Sequence, residues 1–135
     1  MEQLASLART KKMKEHWQLP VAASALLHSP EFVVLPRREC ALKLLIEGDD
    51  GTTEAIALQF TGVECYKCTF LTSCTADMFN FAYGKLVSLD SAWLDEVRST
   101  GKKDPAATSA LQHLMITFDD GPCYEIVCRS WSITE

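Results

Sequence analysis

Histidine, proline and glycine are sparse in this 135-residue chain, at three, five and six residues, and apolar runs are short. A helix that spans a bilayer needs roughly 20 consecutive apolar residues. Every run here is broken by polar residues well before that length, so a membrane is not an expected partner. Basic residues near the start are not followed by an apolar stretch with a cleavage site. Nothing therefore reads as a secretory leader, and a cytoplasmic location is expected. The scattered glycines form neither a Gly-x-Ser-x-Gly elbow nor a phosphate-cradling loop, which removes the usual sequence support for nucleophilic or nucleotide chemistry. Internal repeats and low-complexity tracts are absent.

What is present is ordinary for one globular domain over 1–135, with 47% apolar and 23% charged residues. The net charge of −5 is unevenly spread: residues 1–43 carry a balance of +3, and residues 44–135 one of −8. An acidic body argues against nucleic acid, because phosphate binding needs a positive surface. It leaves a basic protein as the expected class of partner. Six cysteines lie at 40, 65, 68, 74, 123 and 128. Without a leader to bring them to an oxidising compartment, free and mostly buried thiols are expected.

Alternation is the strongest local signal. Leu111 to Phe118 and Cys123 to Trp131 alternate around Asp119-Asp120-Gly121-Pro122, which predicts a β-hairpin. Leu114, Ile116 and Phe118 share one face with Tyr124, Ile126 and Cys128 as their counterparts. His113, Met115, Thr117, Glu125, Val127 and Arg129 point the other way, as in half-buried strands. Ala41 to Glu47 and Glu54 to Phe60 predict a second hairpin around Gly48-Asp49-Asp50-Gly51. Phe32 to Leu35 and Val63 to Phe70 add two strands, and Leu86 to Leu89 reads as extended. The period changes to helical from Thr75 to Lys85, with Thr75 as N-cap. Asp90 or Ser91 caps a second short helix carrying Trp93, Leu94 and Val97 on one face. Ser99 to Ser109 reads as a loop. Residues 1–20 read as an arm or frayed helix, because the Leu4 and Met13 patches fall about half a turn out of phase.

Each candidate for chemistry has a bland counterpart. Cys65 and Cys68 have the spacing of a zinc or redox pair, yet three positions apart on a strand they point to opposite faces. No metal or other cofactor is expected. His16, His28 and His113 lack a ligand or carboxylate at matching spacing, and exposed or capping roles are expected for them. His28 stands out because it lies in an apolar stretch before Ser29-Pro30. The Asp-Asp-Gly turns do not match a helix–loop–helix calcium site, but Asp119 and Asp120 contribute acidic surface.

The run from Leu58 to Trp131 carries Phe60-Thr61-Gly62-Val63, Ala82-Tyr83-Gly84-Lys85-Leu86-Val87, Ser91-Ala92-Trp93-Leu94 and Phe118-Asp119-Asp120-Gly121-Pro122-Cys123-Tyr124-Glu125. In these segments it resembles a group of small, largely uncharacterised bacterial cytoplasmic proteins. Some of that group are classed with immunity proteins that neutralise partner toxins. The resemblance covers a little over half the chain and transfers no site residues.

The expected fold is α+β and mainly β, a mostly antiparallel sheet or sandwich of about six or seven strands. One or two helices are inserted before the C-terminal hairpin. The expected function is a non-enzymatic protein-binding module, of immunity type, acting through an acidic surface. Its candidate residues are Asp119, Asp120, Trp93, Tyr83 and His28, and no catalytic residue is assigned. The rival expectation is a small-molecule-binding or enzymatic domain, with His28, Tyr83, Trp93 and Cys68 lining a pocket between sheet and helices.

Overall fold

The computed structural model describes residues 13–100, 110–119 and 122–134. The helical patch at Leu4, the basic pair Lys11 and Lys12, most of the loop read at Ser99 to Ser109, and Asp120 fall outside them. Among the described residues, nine strands form two antiparallel sheets. In chain order they are β1 (Lys14–Gln18), β2 (Glu31–Leu35), β3 (Glu39–Glu47), β4 (Thr53–Thr61), β5 (Cys65–Thr69), β6 (Lys85–Leu89), β7 (Gln112–Thr117), β8 (Cys123–Cys128) and β9 (Ser130–Thr134). Helix α1 (Ala76–Ala82) lies between β5 and β6, and α2 (Ala92–Thr100) between β6 and β7. The five-stranded sheet has the order β1-β6-β7-β8-β5 and the four-stranded sheet β2-β3-β4-β9.

The α+β, mainly β class stands, with two strands more than the sequence pattern gives. One is β1, where an arm or helix is expected. Its register slips between Glu15 and Trp17 as it pairs with β6, so His16 is the extra residue of a bulge. The bulge turns Trp17 into the main core while Met13 packs on the other side of the sheet. The other is β9. The second arm of the C-terminal hairpin does not run on to Trp131: it changes sheets at Arg129, whose amide bonds the Thr61 carbonyl at 3.0 Å. Gly62 makes this corner possible. Its φ is +65°, and a Cβ there would stand 2.6 Å from Cδ of Arg129.

The main core forms where the two sheets face each other. Leu42, Leu44, Ile46, Ile56, Leu58 and Phe60 come from β3 and β4, and Leu114, Ile116, Tyr124, Ile126 and Cys128 from β7 and β8. The β3–β4 pairing sets Leu42 opposite Leu58 and Leu44 opposite Ile56, the register that alternation predicts. Phe32 closes the β2 side by packing on Tyr66 and Tyr124, at ring separations of 5.0 and 5.5 Å.

The central pair β7–β8 differs from the half-buried expectation. Every residue of β8 and five of the six in β7 are buried, on both faces. The second face is covered by the helices. Thr75 caps α1 by accepting from the Met78 amide, and α1 sets Ala82 and Met78 over Val87, Met115 and Cys123. Ser91 caps α2 by accepting from the Leu94 amide at 3.0 Å, and α2 sets Leu94 on Leu111 and Val127.

Ile126 is fully buried in the centre of the main core. Ile126→Ala is expected to cost about 3–4 kcal/mol through lost transfer energy and a residual cavity, read as a lower urea midpoint at unchanged m-value. The core thiols also set an alkaline limit. Burial pushes Cys123, Cys128 and the Tyr124 hydroxyl each up to about 12. Above pH 9 the unfolded chain releases thiol protons that the folded chain retains, so stability falls as pH rises from 9 toward 12. Thermal melts at pH 7, 9 and 10.5 should show a flat and then a falling midpoint; a rising midpoint contradicts the assignment.

Candidate functional site

The helix-covered face of the five-stranded sheet carries a line of polar side chains in a largely apolar layer. His113 on β7 and Glu125 on β8 are 4% and 7% exposed. His113 pairs with Val127 and Glu125 with Met115, so the two polar residues are diagonal neighbours on one face. His113 Nε2 lies 3.0 Å from Glu125 Oε1, and His113 Nδ1 lies 2.8 Å from Ser91 Oγ. A carboxylate only accepts, so in the neutral ring Nε2–H donates to Glu125 and Nδ1 accepts from the Ser91 hydroxyl. Ser91, the turn from β6 into α2, thus serves the helix amide and the imidazole at once. Trp93 stands edge-on to the His113 ring at 4.9 Å, and Lys67 on β5 places its ammonium 4.0 Å above the Trp93 ring.

A second feature follows the rim of the same sheet. Thr69 pairs with Cys123, Cys123 with Thr117, and Thr117 bridges to Tyr83. The residues just beyond these positions therefore lie in a row about 14 Å long, three strand spacings. Along it Phe70 is 69% exposed, Leu71 47% and Tyr83 38%. The Tyr83 hydroxyl donates to Asp119 Oδ1 at 2.7 Å, and Asp77 and Asp119 are exposed.

The expected site residues separate into three places. Tyr83 and Asp119 meet at the rim, Trp93 joins the His113 line, and Asp120 lies outside the described residues. His28 is exposed and lines a cleft of about 470 Å³ with Glu31, Lys43, Leu45, Ala55 and Thr134, none of them a rival-pocket residue. Cys68 is exposed on β5. The pocket expected to gather His28, Tyr83, Trp93 and Cys68 is not assembled, because these residues occupy different faces and edges. Partial burial raises both the Cys65 and Cys68 thiols, with Glu64 and Cys74 adding to the rise, the reverse of an activated thiolate. Among the described residues no three His, Cys, Asp or Glu side chains converge as metal ligands, and no helix is long and apolar enough to cross a membrane.

Ser91 enters the sequence reading only as a cap, and His113 as exposed or capping; the buried histidine is a correction. The outward set Met115, Thr117 and Val127 is itself largely apolar, and that signal marks the second face as covered. No family model, curated protein or solved structure matches the chain.

Breaking the buried pair tests its energetics. His113→Leu strands the Glu125 carboxylate and should cost about 3–5 kcal/mol, whereas His113→Leu with Glu125→Leu should recover most of it. Urea unfolding of the four-member cycle measures this coupling. A single-variant cost below about 1 kcal/mol means that the carboxylate reaches water in the folded state.

Proposed function

We propose that the protein is a protein-binding module of the immunity type, which neutralises a basic protein partner by covering it. The observation that carries this reading is the rim row of exposed Phe70, Leu71 and Tyr83, with Asp119 held by the Tyr83 hydroxyl and Asp77 exposed on α1. Large apolar side chains flanked by charge are the usual anchors of a protein interface. Tyr83 is held by Asp119, so it meets a partner with little conformational entropy left to lose. The −8 balance over residues 44–135 favours encounter with a cationic surface and disfavours nucleic acid.

The acidic reach extends to the other Asp-bearing turn. Leu26 bridges Ile46 at the root of the β3–β4 turn. Ala23 packs beside Gly84, whose amide bonds the Thr117 carbonyl at the root of the β7–β8 turn. Residues 23–26, at most about 11 Å of chain, run between these two contacts, and Glu47, Asp49, Asp50 and Glu54 of the β3–β4 hairpin are exposed. The setting proposed is cytoplasmic, as in the group that the sequence resembles. The rival reading, a small-molecule or enzymatic domain, has one observation in its favour: the polar line of Ser91, His113 and Glu125.

Capture from a host extract by the tagged protein and by its Phe70→Ser/Leu71→Ser variant tests the proposal. The expected result is a basic partner held by the parent protein at low salt, weakened at moderate salt, and bound at least tenfold less by the variant, as loss of about 1.4 kcal/mol or more implies. Equal retention by both proteins removes the rim from the interface.

A further inference from the structure

We infer that Ser91, His113 and Glu125 form a nucleophilic serine centre able to take an acyl group from a small carboxylic ester. The connectivity is that of an activated hydroxyl. Ser91 Oγ lies 2.8 Å from His113 Nδ1, and His113 Nε2 lies 3.0 Å from Glu125 Oε1. With Glu125 holding the Nε2 proton, the lone pair of Nδ1 faces the serine O–H, the arrangement in which a base draws a proton from a nucleophile. The ring nitrogens are used in the opposite order to that of the well-known serine protease triad, but either nitrogen is a competent base once the other is held.

Position supplies the second element. Ser91 sits at the turn from β6 into α2, and its carbonyl already accepts the Asp95 amide at 3.1 Å. The amides of Ala92 and Trp93 open the helix ahead of any intrahelical acceptor. They lie beside the nucleophile, where negative charge develops on a carbonyl oxygen under attack. Ser91 keeps partial exposure while His113 and Glu125 are buried, so Ser91 is the member of the line nearest to solvent. The Trp93 ring and the Lys67 ammonium above it offer an apolar wall and a cation. An ester with an anionic group on its acyl or alcohol portion suits that pair. Capping α2 needs only the Ser91 hydroxyl; burying His113 and Glu125 behind it adds a desolvation cost that well-packed apolar side chains would avoid.

The step balances without a further reactant except water. Ser91 Oγ bonds to the acyl carbon as its proton passes to His113 Nδ1. The ester C–O bond then breaks, and the departing alkoxide takes that proton and leaves as the alcohol. Water adds to the acyl carbon through the same base, the acid departs, and the Ser91 hydroxyl is restored. Glu125 touches only the imidazole and is a positioning residue.

Incubating the full chain with a fluorophosphonate probe tests the centre directly. The Ser91 Oγ–P bond forms, fluoride leaves, and His113 accepts the proton. Intact mass and peptide mapping should show one adduct, on Ser91, absent in Ser91→Ala and formed at least tenfold more slowly in folded His113→Gln. Glu125→Gln should displace the pH midpoint of the labelling rate, a change that a purely structural role does not produce. Ser88, whose hydroxyl also meets an imidazole, that of His16 at 2.8 Å, is the internal reference and keeps the test decisive even where a variant fails to fold. No adduct on folded protein at millimolar probe, or labelling of Ser88 at the rate of Ser91, overturns the inference. Because Ser91 and the Phe70 rim are varied separately, failure of one proposal is distinguishable from failure of the other.

Discussion

Burial of the β7–β8 pair on both faces is the constraint on which the rest of the molecule depends. One face of these strands belongs to the core between the sheets. The other must be roofed, and two short helices do so. Neither helix is long enough to be stable alone, since nucleation makes isolated helices under about 12 residues marginal. Each is instead fixed at its start by a hydroxyl cap, Thr75 or Ser91, and along its length by apolar contact with the sheet. Cap and packing act together: without the strands beneath, the caps have little helix to stabilise.

Roofing the second face has an electrostatic consequence. His113 and Glu125 alternate into a layer that contains Met115, Val127 and Leu94, where an unpaired charge is costly. They satisfy each other, and Ser91 completes the line by linking the histidine to the first turn of α2. Secondary structure, helix capping and buried polarity therefore meet in one residue. Ser91 is also the residue of the three that water reaches best, which joins structural and chemical interest at the same atom.

The two ends of the five-stranded sheet contrast in character. At the β8–β9 corner the chain is tightly tied. Arg37 and Arg38 hold positive φ values of 63° and 61°, Arg38 pairs with Glu64 and bonds the Val63 carbonyl, and the Val63 amide bonds the Arg38 carbonyl. Backbone strain at two non-glycine residues persists there because neighbouring contacts over-determine it. At the opposite end, apolar side chains stand in solvent beside carboxylates. A surface of that kind has little to do with internal packing.

Much of this fold is legible in the sequence, because alternation and turn chemistry are local. The Leu42 and Ile56 hairpin, the Thr75 and Ser91 caps, the extended Leu86–Leu89 segment and the β7–β8 hairpin follow from residues within a few positions of one another. The bulge at His16 escapes that reading because it changes which face Trp17 and Met13 occupy without changing their spacing. The sheet change at Arg129 escapes it because a strand that continues and one that turns a corner alternate alike. The sequence alone therefore determined the element types from β2 to β8, the two-hairpin frame and the acidic balance of the body, all set by nearest-neighbour chemistry. Only the tertiary structure decided that the outward face of β7 is covered, that His113 meets Glu125 and Ser91, and that Tyr83 meets Asp119. Each of these depends on which strands lie side by side, and strand order is fixed by packing between residues far apart in the chain.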